Sequence, residues 1–177
     1  MQQVSVREER SSDAEAIALV NKSAFGGAAE AQWVAAVRKT KSFVPELSLV
    51  AEVGERMVGH ILLFRVELDR EGKQVEVLAL APMSVMPSHS HRGVGSALLE
   101  TVTSRAAGMG HRAIVVVGHP NYYRRFDFQK AALWGIHSTL PVPEDSITAK
   151  ELVPGALDGG GLLRYPPEFA RLFSSAA

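Results

Sequence analysis

The spacing of apolar residues alternates along the chain between the two periods typical of strands and of helices. Residues 4–7 alternate between apolar and polar, as in a half-buried strand. A capping-box pattern at residues 12–15 then predicts the start of a helix that ends at the glycine pair 26–27. A second helix is predicted over residues 28–40, where Trp33 shares one side with two valines. The two helices fit either a lid over a second-substrate pocket or plain core helices.

The next stretch is rich in β-branched residues and predicts an antiparallel meander. Residues 47–53 and 57–68 are joined by a short connection containing glycine, which suits a hairpin. A second turn at residues 69–73 leads into a strand over residues 75–85. Pro82 lies inside that strand and cannot donate to a ladder, so it predicts a bulge or a point where the neighbouring strand diverges.

Helical spacing resumes after this strand and is followed by a continuous β-branched run. Residues 94–109 carry apolar side chains at helical intervals. Residues 113–117 are typical of a strand covered on both faces, so strand, helix and strand form a right-handed parallel unit. A short helix is predicted from Pro120, and two last strands are predicted over residues 133–137 and 147–157. The pattern as a whole predicts a mixed α/β fold.

Length and composition narrow the class of protein. A chain of 177 residues fits a single domain, 1–177, and its contents of 46% hydrophobic and 21% charged residues are ordinary for a globular protein. No apolar run approaches the ~20 residues that cross a bilayer, so no membrane segment is expected. The numbers of basic and acidic residues are equal, 19 each, which removes the broad attraction that nucleic-acid binding uses. The absence of cysteine excludes thiol nucleophiles, and without a signal-like amino terminus the cytoplasm is the expected location.

The corner between the meander and the following helix, residues 83–99, carries the candidate chemistry. Gly93 and Gly95 stand where a strand has just ended and a helix begins. Glycine lets the backbone turn tightly, so consecutive N–H groups can point at one anion, and the helix adds its unpaired amides and the positive end of its dipole. The corner therefore predicts a phosphate or pyrophosphate site, with a plain strand-to-helix turn as the alternative.

Two well-known phosphate-binding loops do not fit this corner. A P-loop continues with lysine and a hydroxyl residue after its last glycine, whereas Ser96-Ala97 follows the second glycine here. A dinucleotide-binding loop has a third glycine where Leu98 stands, and an acidic residue at the end of the next strand, where Gly118-His119 stands. Nucleoside triphosphate hydrolysis and NAD binding are therefore not expected.

The histidines of the chain do not form a metal-binding pattern. His89 and His91 lie one residue apart in a loop, and no carboxylate or further histidine stands at a spacing typical of metal ligands. No metal is therefore expected.

Two segments carry a further pattern when they are read together. Val85-Met86-Pro87 leads to Arg92-Gly93-Val94-Gly95-Ser96-Ala97-Leu98, and Tyr123-Arg124-Arg125-Phe126-Asp127-Phe128 follows one strand later. Together they resemble the GNAT superfamily of acetyl-coenzyme A dependent N-acetyltransferases, in particular its YhbS-like bacterial branch. That family's loop usually reads Gln/Arg-x-x-Gly-x-Gly/Ala, so Ser90 departs from it, and Asp127 replaces the glycine of the family's usual Gly-Phe. The resemblance implies a mostly antiparallel central sheet with a splayed parallel strand pair and flanking helices.

The resemblance also implies acetyl-CoA as co-substrate and direct attack on its thioester by a primary amine of a small molecule, peptide or protein. The pantetheine arm would pair with main-chain groups near Met83 and Val85 like an added strand, and an N–H near Met83 would stabilise the oxyanion. The residues implied in cofactor binding are Met83, Ser84, Val85, Ser90, His91, Arg92, Gly93, Val94, Gly95, Ser96 and Asn121.

The same resemblance makes Tyr123 the general acid that protonates the leaving thiolate. A phenol stays protonated at neutral pH, and a thiol of pKa ~8.5 leaves poorly without a proton or a hydrogen bond. A buried aromatic side chain with a satisfied hydroxyl is the alternative for Tyr123. Glu76 or His60, on neighbouring predicted strands, would take up the amine proton through water, although a glutamate on a strand is more often solvated or paired.

Two classes of function stay open from the sequence. An N-acetyltransferase is favoured by Tyr123, and a non-catalytic acyl-CoA-binding or sensing module is the alternative, because Ser90 and Asp127 depart from the family pattern. Transfer to charged tRNA is disfavoured by the balanced charge. The sequence leaves open both the acceptor and the oligomeric state, a homodimer included.

Overall fold

The computed structural model describes residues 3–173, and its elements follow the predicted mixed α/β order. Among these residues no helix combines the length and the apolar character that a membrane span requires. The strands are β1 (Val4–Glu8), β2 (Phe43–Val53), β3 (Arg56–Arg70), β4 (Lys73–Val85), β5 (Ala113–Val117), β6 (Gln129–Lys130), β7 (Ile136–Ser138), β8 (Ile147–Glu151) and β9 (Gly161–Arg164). The helices are α1 (Ala14–Phe25), α2 (Ala29–Val37), α3 (Val94–Gly108), α4 (Pro120–Arg124) and α5 (Pro167–Ala170), with short 3₁₀ helices between several elements.

The chain divides into two compact units, and each combines two segments of the sequence. Within the described residues, the first unit combines 3–64 with 81–106, and the second combines 65–80 with 107–173. The strands β3 and β4 each contribute residues to both units. The single domain expected for residues 1–177 stays a prediction.

The first unit contains an antiparallel sheet covered by helices. β1 pairs with β2 and β2 with β3, and the register of Val53 opposite Arg56 makes the β2–β3 hairpin a two-residue turn. α1 and α2 bury one face each, with Ile17, Val20, Trp33, Val34 and Val37 at most 3% exposed. These apolar faces are those of core helices, and the second-substrate lid stays a prediction.

The start of α1 differs from the predicted capping box. Asp13 rather than Ser12 is the N-cap residue, and no side chain caps the helix there. The Asp13 carboxylate instead accepts hydrogen bonds from the Arg10 backbone N–H at 2.6 Å and from the Arg7 guanidinium at 2.8 Å. Hydrogen bonds between charged groups are stronger than neutral ones, so the Asp13 carboxylate pairs with Arg7 and closes the turn before α1 through Arg10 instead of capping the helix. The hydrogen bond to Arg7 is also the main cause that lowers the pKa of Asp13.

α3 packs on β3 at a glycine. A Cβ atom on Gly59 would lie 2.9 Å from Cγ1 of Val94 and 3.0 Å from Cδ1 of Leu98, closer than side chains tolerate. Val94 and Leu98 are themselves at most 1% exposed. The first two turns of α3 therefore rest directly on the backbone of β3, and this contact sets where the helix begins.

A chain of buried polar side chains crosses the same unit. The Asn21 amide donates to Nδ1 of His60 at 3.3 Å, so Nε2 carries the ring proton and donates to the Ser48 hydroxyl at 3.0 Å. The Ser48 hydroxyl in turn donates to Glu9, which pairs with Arg38 at 3.0 Å. Burial lowers the pKa of His60 to about 3, and the charge of Arg38 lowers it further. His60 is thus neutral, 0% exposed and partnered at both ring nitrogens, which does not fit the water relay considered for it.

The second unit contains the parallel strand pair. The β3–β4 hairpin turns at Glu71 and Gly72, whose φ angles of 52° and 88° suit a two-residue turn with both central residues left-handed. β4 then pairs in parallel with β5, with Leu78–Leu80 opposite Ile114–Val116. β5 pairs antiparallel with β8, and β8 with β6. The predicted mixed sheet, mostly antiparallel with a parallel β4–β5 pair, is confirmed, and the short strands β7 and β9 form a second parallel pair.

Three predictions for the last third of the chain are wrong in detail. Of the strand predicted over residues 133–137, Leu133 and Trp134 belong to a 3₁₀ helix that is capped by Gly135 with φ of 75°, so β7 begins only at Ile136. The strand predicted over residues 147–157 ends at Glu151, whose carboxylate accepts the Leu157 backbone N–H at 2.8 Å and closes a turn. No strand was predicted beyond residue 157, yet β9 pairs with β3 and with β7.

We expect His60 to make the folded protein less stable as the pH falls from 6.5 toward 4. The unfolded chain protonates this ring near 6.5, whereas the folded chain holds it neutral down to about 3. Between these values the unfolded state binds more protons, so up to about 1.4 kcal/mol of unfolding free energy is lost per pH unit. Urea denaturation of the wild type and of His60→Gln at pH 7, 6, 5 and 4 measures this loss. The variant should lose stability less steeply, and equal slopes for both proteins would contradict the prediction.

Candidate functional site

The carboxyl end of β4 forms the first part of the candidate site, and it lies in the first unit. Met83 and Val85 are half-buried, whereas Ser84 is 2% exposed, as expected for alternating residues of a strand. The Met86 backbone N–H donates to the Val58 carbonyl at 2.8 Å. The strand end is therefore fixed to β3, while two of its side chains keep one side open to solvent.

Two residues of the loop after β4 have left-handed backbone conformations. His91 has φ of 62° and Gly93 φ of 82°, and no heavy atom lies within 4 Å of the position that a Cβ on Gly93 would take. The Ser90 hydroxyl donates to the Pro87 carbonyl at 3.0 Å. Ser90, which departs from the family pattern, therefore closes the loop on itself. Arg92 is exposed between the two left-handed residues.

The start of α3 supplies the backbone donors of this loop. The first hydrogen bond within the helix joins the Ala97 N–H to the Gly93 carbonyl at 3.0 Å. The N–H groups of Val94, Gly95 and Ser96 come before it and have no partner within the helix. These donors and the positive end of the helix dipole favour an anion. The open space beside Gly93 leaves room for one, so the residues present fit a phosphate or a pyrophosphate.

The two histidines of the loop do not form a metal site. The Ser88 hydroxyl and Nδ1 of His89 are hydrogen-bonded at 2.8 Å, and His91 is exposed. Among residues 3–173 no group of three histidine or carboxylate side chains comes together as metal ligands would.

The helix α4, in the second unit, carries a separate group of candidate residues. It begins at Pro120, as predicted, and Tyr123 on its buried side is 8% exposed. The Tyr123 ring meets Tyr122 edge-on at 5.2 Å and Phe128 at 5.6 Å between ring centroids. Burial is the main cause that raises the pKa of Tyr123, and Tyr122 raises it further. The phenol is therefore protonated at neutral and moderately alkaline pH. Asn121 is exposed on the same helix.

The turn after α4 accommodates the second departure from the family pattern. Asp127 has φ of 68°, the left-handed conformation that glycine usually provides and that aspartate adopts more readily than most residues. The N–H groups of Phe126 and Phe128 both donate to the Tyr123 carbonyl, at 2.9 and 3.2 Å. The turn thus brings the buried Phe128 ring back onto Tyr123.

A glycine after β5 is needed for the position of Tyr123, and sequence reasoning missed this role. A Cβ atom on Gly118 would lie 3.0 Å from Cε2 of the Tyr123 ring. The Gly118 N–H donates to the Ser146 carbonyl at 3.0 Å, so its backbone is fixed where the ring passes. The sequence signal was a glycine directly between a β-branched run and a proline-led helix.

Glu76 is exposed and paired in the second unit. Its carboxylate lies 3.4 Å from Nε of Arg65, and the two side chains are 54% and 39% exposed. Both features agree with the solvated or paired glutamate that the sequence left as an alternative. They also leave the carboxylate able to exchange protons with water.

The chain matches one known protein family and is similar to two curated relatives. Residues 5–131 match the family model described as an acetyltransferase (GNAT) domain. The uncharacterized N-acetyltransferase YjhQ of Escherichia coli K12 is 36% identical over 135 residues, which cover 76% of this chain and 75% of that protein. The uncharacterized N-acetyltransferase YhbS of the same strain is 27% identical over 168 residues, 94% of this chain and 98% of that protein.

Two solved structures resemble this fold closely. YhbS from Escherichia coli in complex with CoA has a TM-score of 0.88 and 26% identity, covering 96% of this chain and 93% of that one. A GNAT family acetyltransferase from Brucella melitensis in complex with acetyl-CoA has a TM-score of 0.77 and 27% identity, covering 96% and 99%.

We expect Gly118→Ala to displace the Tyr123 ring and to lower the free energy of unfolding by about 1–3 kcal/mol, because the added methyl group overlaps the ring edge. Urea denaturation measures the loss, and near-ultraviolet circular dichroism reports the changed tyrosine packing. Gly108→Ala is the matched control, since no heavy atom lies within 4 Å of its Cβ position. Equal stability of the two variants would show that the Tyr123 ring has room to move.

Proposed function

Because this chain belongs to the GNAT family of acetyltransferases, we propose that it transfers an acetyl group from acetyl-CoA to a primary amine of a small molecule, a peptide or a protein. The observation that carries the proposal is the loop of residues 90–96, where His91 and Gly93 turn left-handed and the first amides of α3 are free of helix partners. The complexes of two similar structures with CoA and acetyl-CoA support this assignment of the anion site.

The pyrophosphate of CoA would bind the backbone N–H groups at the start of α3. Val94, Gly95 and Ser96 supply these donors, and Arg92, exposed in the loop, adds a positive charge. His91 and Ser90 shape the loop, one through its left-handed backbone and the other through its bond to Pro87. None of these contributions needs the glutamine or arginine that the family usually has at position 90.

The pantetheine arm would run along the end of β4. Main-chain groups of residues 83–85 would pair with its amides like an added strand, and the Met83 N–H would donate to the oxyanion that forms at the thioester carbonyl. Asn121, exposed on α4, is a further candidate contact for the cofactor.

Tyr123 would supply the proton for the leaving group. The amine nitrogen bonds to the acetyl carbon, the carbon–sulfur bond breaks, and the Tyr123 hydroxyl donates its proton to the thiolate. Full transfer from a phenol of raised pKa to a thiolate is uphill, so the proton that the amine gives to the base has to return through water to the phenol before the next turnover. CoA thiol and an N-acetylated amine are the products.

Glu76 is the candidate base for the amine proton. Glu76 stands seven residues before Met83 on β4, so its exposed carboxylate would accept that proton through a chain of water molecules, and its pairing with Arg65 would hold it in place. His60, the other residue considered, is buried with both ring nitrogens partnered.

A non-catalytic acyl-CoA-binding module was the alternative, and it rested on two departures from the family pattern. The Ser90 hydroxyl closes the loop, and Asp127 adopts the left-handed conformation that the turn needs. Both departures are accommodated locally, so they do not favour a module without turnover.

A binding titration and a transfer assay test the proposal. Acetyl-CoA is titrated by calorimetry, and release of free CoA thiol is then followed with a panel of primary amines, amino-terminal peptides and lysine peptides. Mass determination of the acetylated product identifies the acceptor. Binding of acetyl-CoA without thiol release for any member of the panel would favour the non-catalytic module.

We expect Tyr123→Phe to lower kcat by about 10²–10⁴-fold while the Kd of CoA changes little, because the ring is kept and only the proton donor is lost. Tyr122→Phe is the control, since it removes a neighbouring phenol but keeps the ring against Tyr123. The raised pKa of Tyr123 also predicts no loss of kcat between pH 8 and 10 from ionisation of this phenol. Unchanged kcat in Tyr123→Phe would remove it as the acid.

We expect Glu76→Gln to lower kcat/KM for the amine by about 10²-fold at pH 7, with a smaller deficit at higher pH, where more amine arrives already deprotonated. Rates measured from pH 6.5 to 9 test this. Glu55→Gln, in the β2–β3 turn of the other unit, is the control. A deficit that does not change with pH would argue against a role as base.

A further inference from the structure

A tryptophan of α2 is tied to the strand that the proposed function uses. The indole Nε1–H of Trp33 donates to the Ala81 carbonyl at 2.9 Å. Trp33 is 3% exposed, and its ring meets Phe64 edge-on, with centroids 4.8 Å apart and an interplanar angle of 68°. Packing therefore fixes the ring, and the fixed ring holds one backbone carbonyl of β4.

Ala81 occupies a special position in β4. The last β4 residue that pairs with β5 is Leu80, so Ala81 is the first residue beyond that ladder. Pro82 follows it and has no N–H to donate. Two residues after Ala81 comes Met83, whose N–H is proposed to face the reacting carbonyl. The Trp33 hydrogen bond therefore acts where the β4–β5 ladder ends and the proposed cofactor contacts begin.

We infer that Trp33 is a positioning residue for acetyl transfer, an inference that rests on the proposed function. Without its N–H, the half-buried Ala81 carbonyl would lose this partner, and its peptide plane would rotate toward another. That rotation would move the main chain of residues 83–85. An oxyanion donor has to lie within a few tenths of an ångström of its productive place, and a misplacement of about 1 Å can cost about 10²-fold in rate.

Trp33 is expected to influence the rate of acetyl transfer and not the affinity for CoA. The loop of residues 90–96 is the proposed binding site of the pyrophosphate. This loop is held by its own hydrogen bond, from the Ser90 hydroxyl to the Pro87 carbonyl. Trp33 does not reach that loop through its Ala81 bond. A change at Trp33 should therefore act on kcat more than on the binding of CoA.

Trp33→Phe tests this, because phenylalanine keeps an aromatic ring against Phe64 but has no N–H. We expect kcat to fall about tenfold or more, since donor misplacement acts on the transition state, and the calorimetric Kd of CoA to stay within about threefold. Val34→Ala is the matched control, because Val34 is the neighbouring buried residue of α2, 1% exposed, and carries no polar group. It should lower the melting temperature while kcat stays within about twofold of the wild type.

A second variant isolates the hydrogen bond from the ring size. Site-specific replacement of Trp33 by benzothienylalanine exchanges only the N–H for sulfur, and it should reproduce the loss of kcat even where Trp33→Phe fails to fold. Wild-type kcat in the benzothienylalanine protein, or an equal loss in Val34→Ala, would overturn the inference. Failure of the proposed function is seen separately, because the wild type would then not bind acetyl-CoA or release thiol, and the inference would fall with it.

Discussion

The backbone between β4 and α3 has to satisfy two opposed requirements, and much of the first unit serves them. For the proposed binding of the cofactor its N–H groups must stay free, yet free N–H groups are tolerated only where water or a ligand can reach them. The loop is therefore exposed, while its two ends are anchored in the interior. Met86 is bonded to Val58 at one end, and Val94 packs against Gly59 at the other. The contacts at its two ends thus hold the loop in place, and the backbone N–H donors of the loop do not take part in them.

Burial acts in opposite directions on two titratable groups, and both stay neutral. Burial lowers the pKa of His60, because the imidazolium would be stripped of water, and raises the pKa of Tyr123, because the phenolate would be. In His60 the neutral ring joins Asn21 to Ser48 and supports the core beneath α1. In Tyr123 the neutral state is the one that holds a proton. The chain is an N-acyltransferase of the GNAT type, and a protonated phenol suits the departure of a thiolate.

Predictions of secondary structure agreed best with the structure where residues close in sequence determine the element. β5 and the start of α4 agree with the sequence pattern, because a β-branched run and a proline at the first helical position act within a few residues. They failed where a distant partner decides. β9 is a strand because its backbone pairs with β3, with Arg164 opposite Glu67, and its own sequence has no pattern that predicts this pairing. The capping box predicted over residues 12–15 does not form at α1, because Asp13 is the N-cap residue and its carboxylate pairs with Arg7 of β1.

The sequence by itself determined the tight turn before α3, because a glycine just before a helix readily takes a left-handed backbone, and Gly93 has φ of 82°. The parallel β4–β5 pair was determined in the same way, since a strand, a helix and a strand of these lengths close with one handedness. Only the tertiary structure decided what Gly118 and Trp33 do. A glycine that makes room for a ring and an indole that holds a carbonyl 48 residues away depend on which surfaces meet in space. These contacts result from the packing of the whole chain, and no local sequence pattern predicts them.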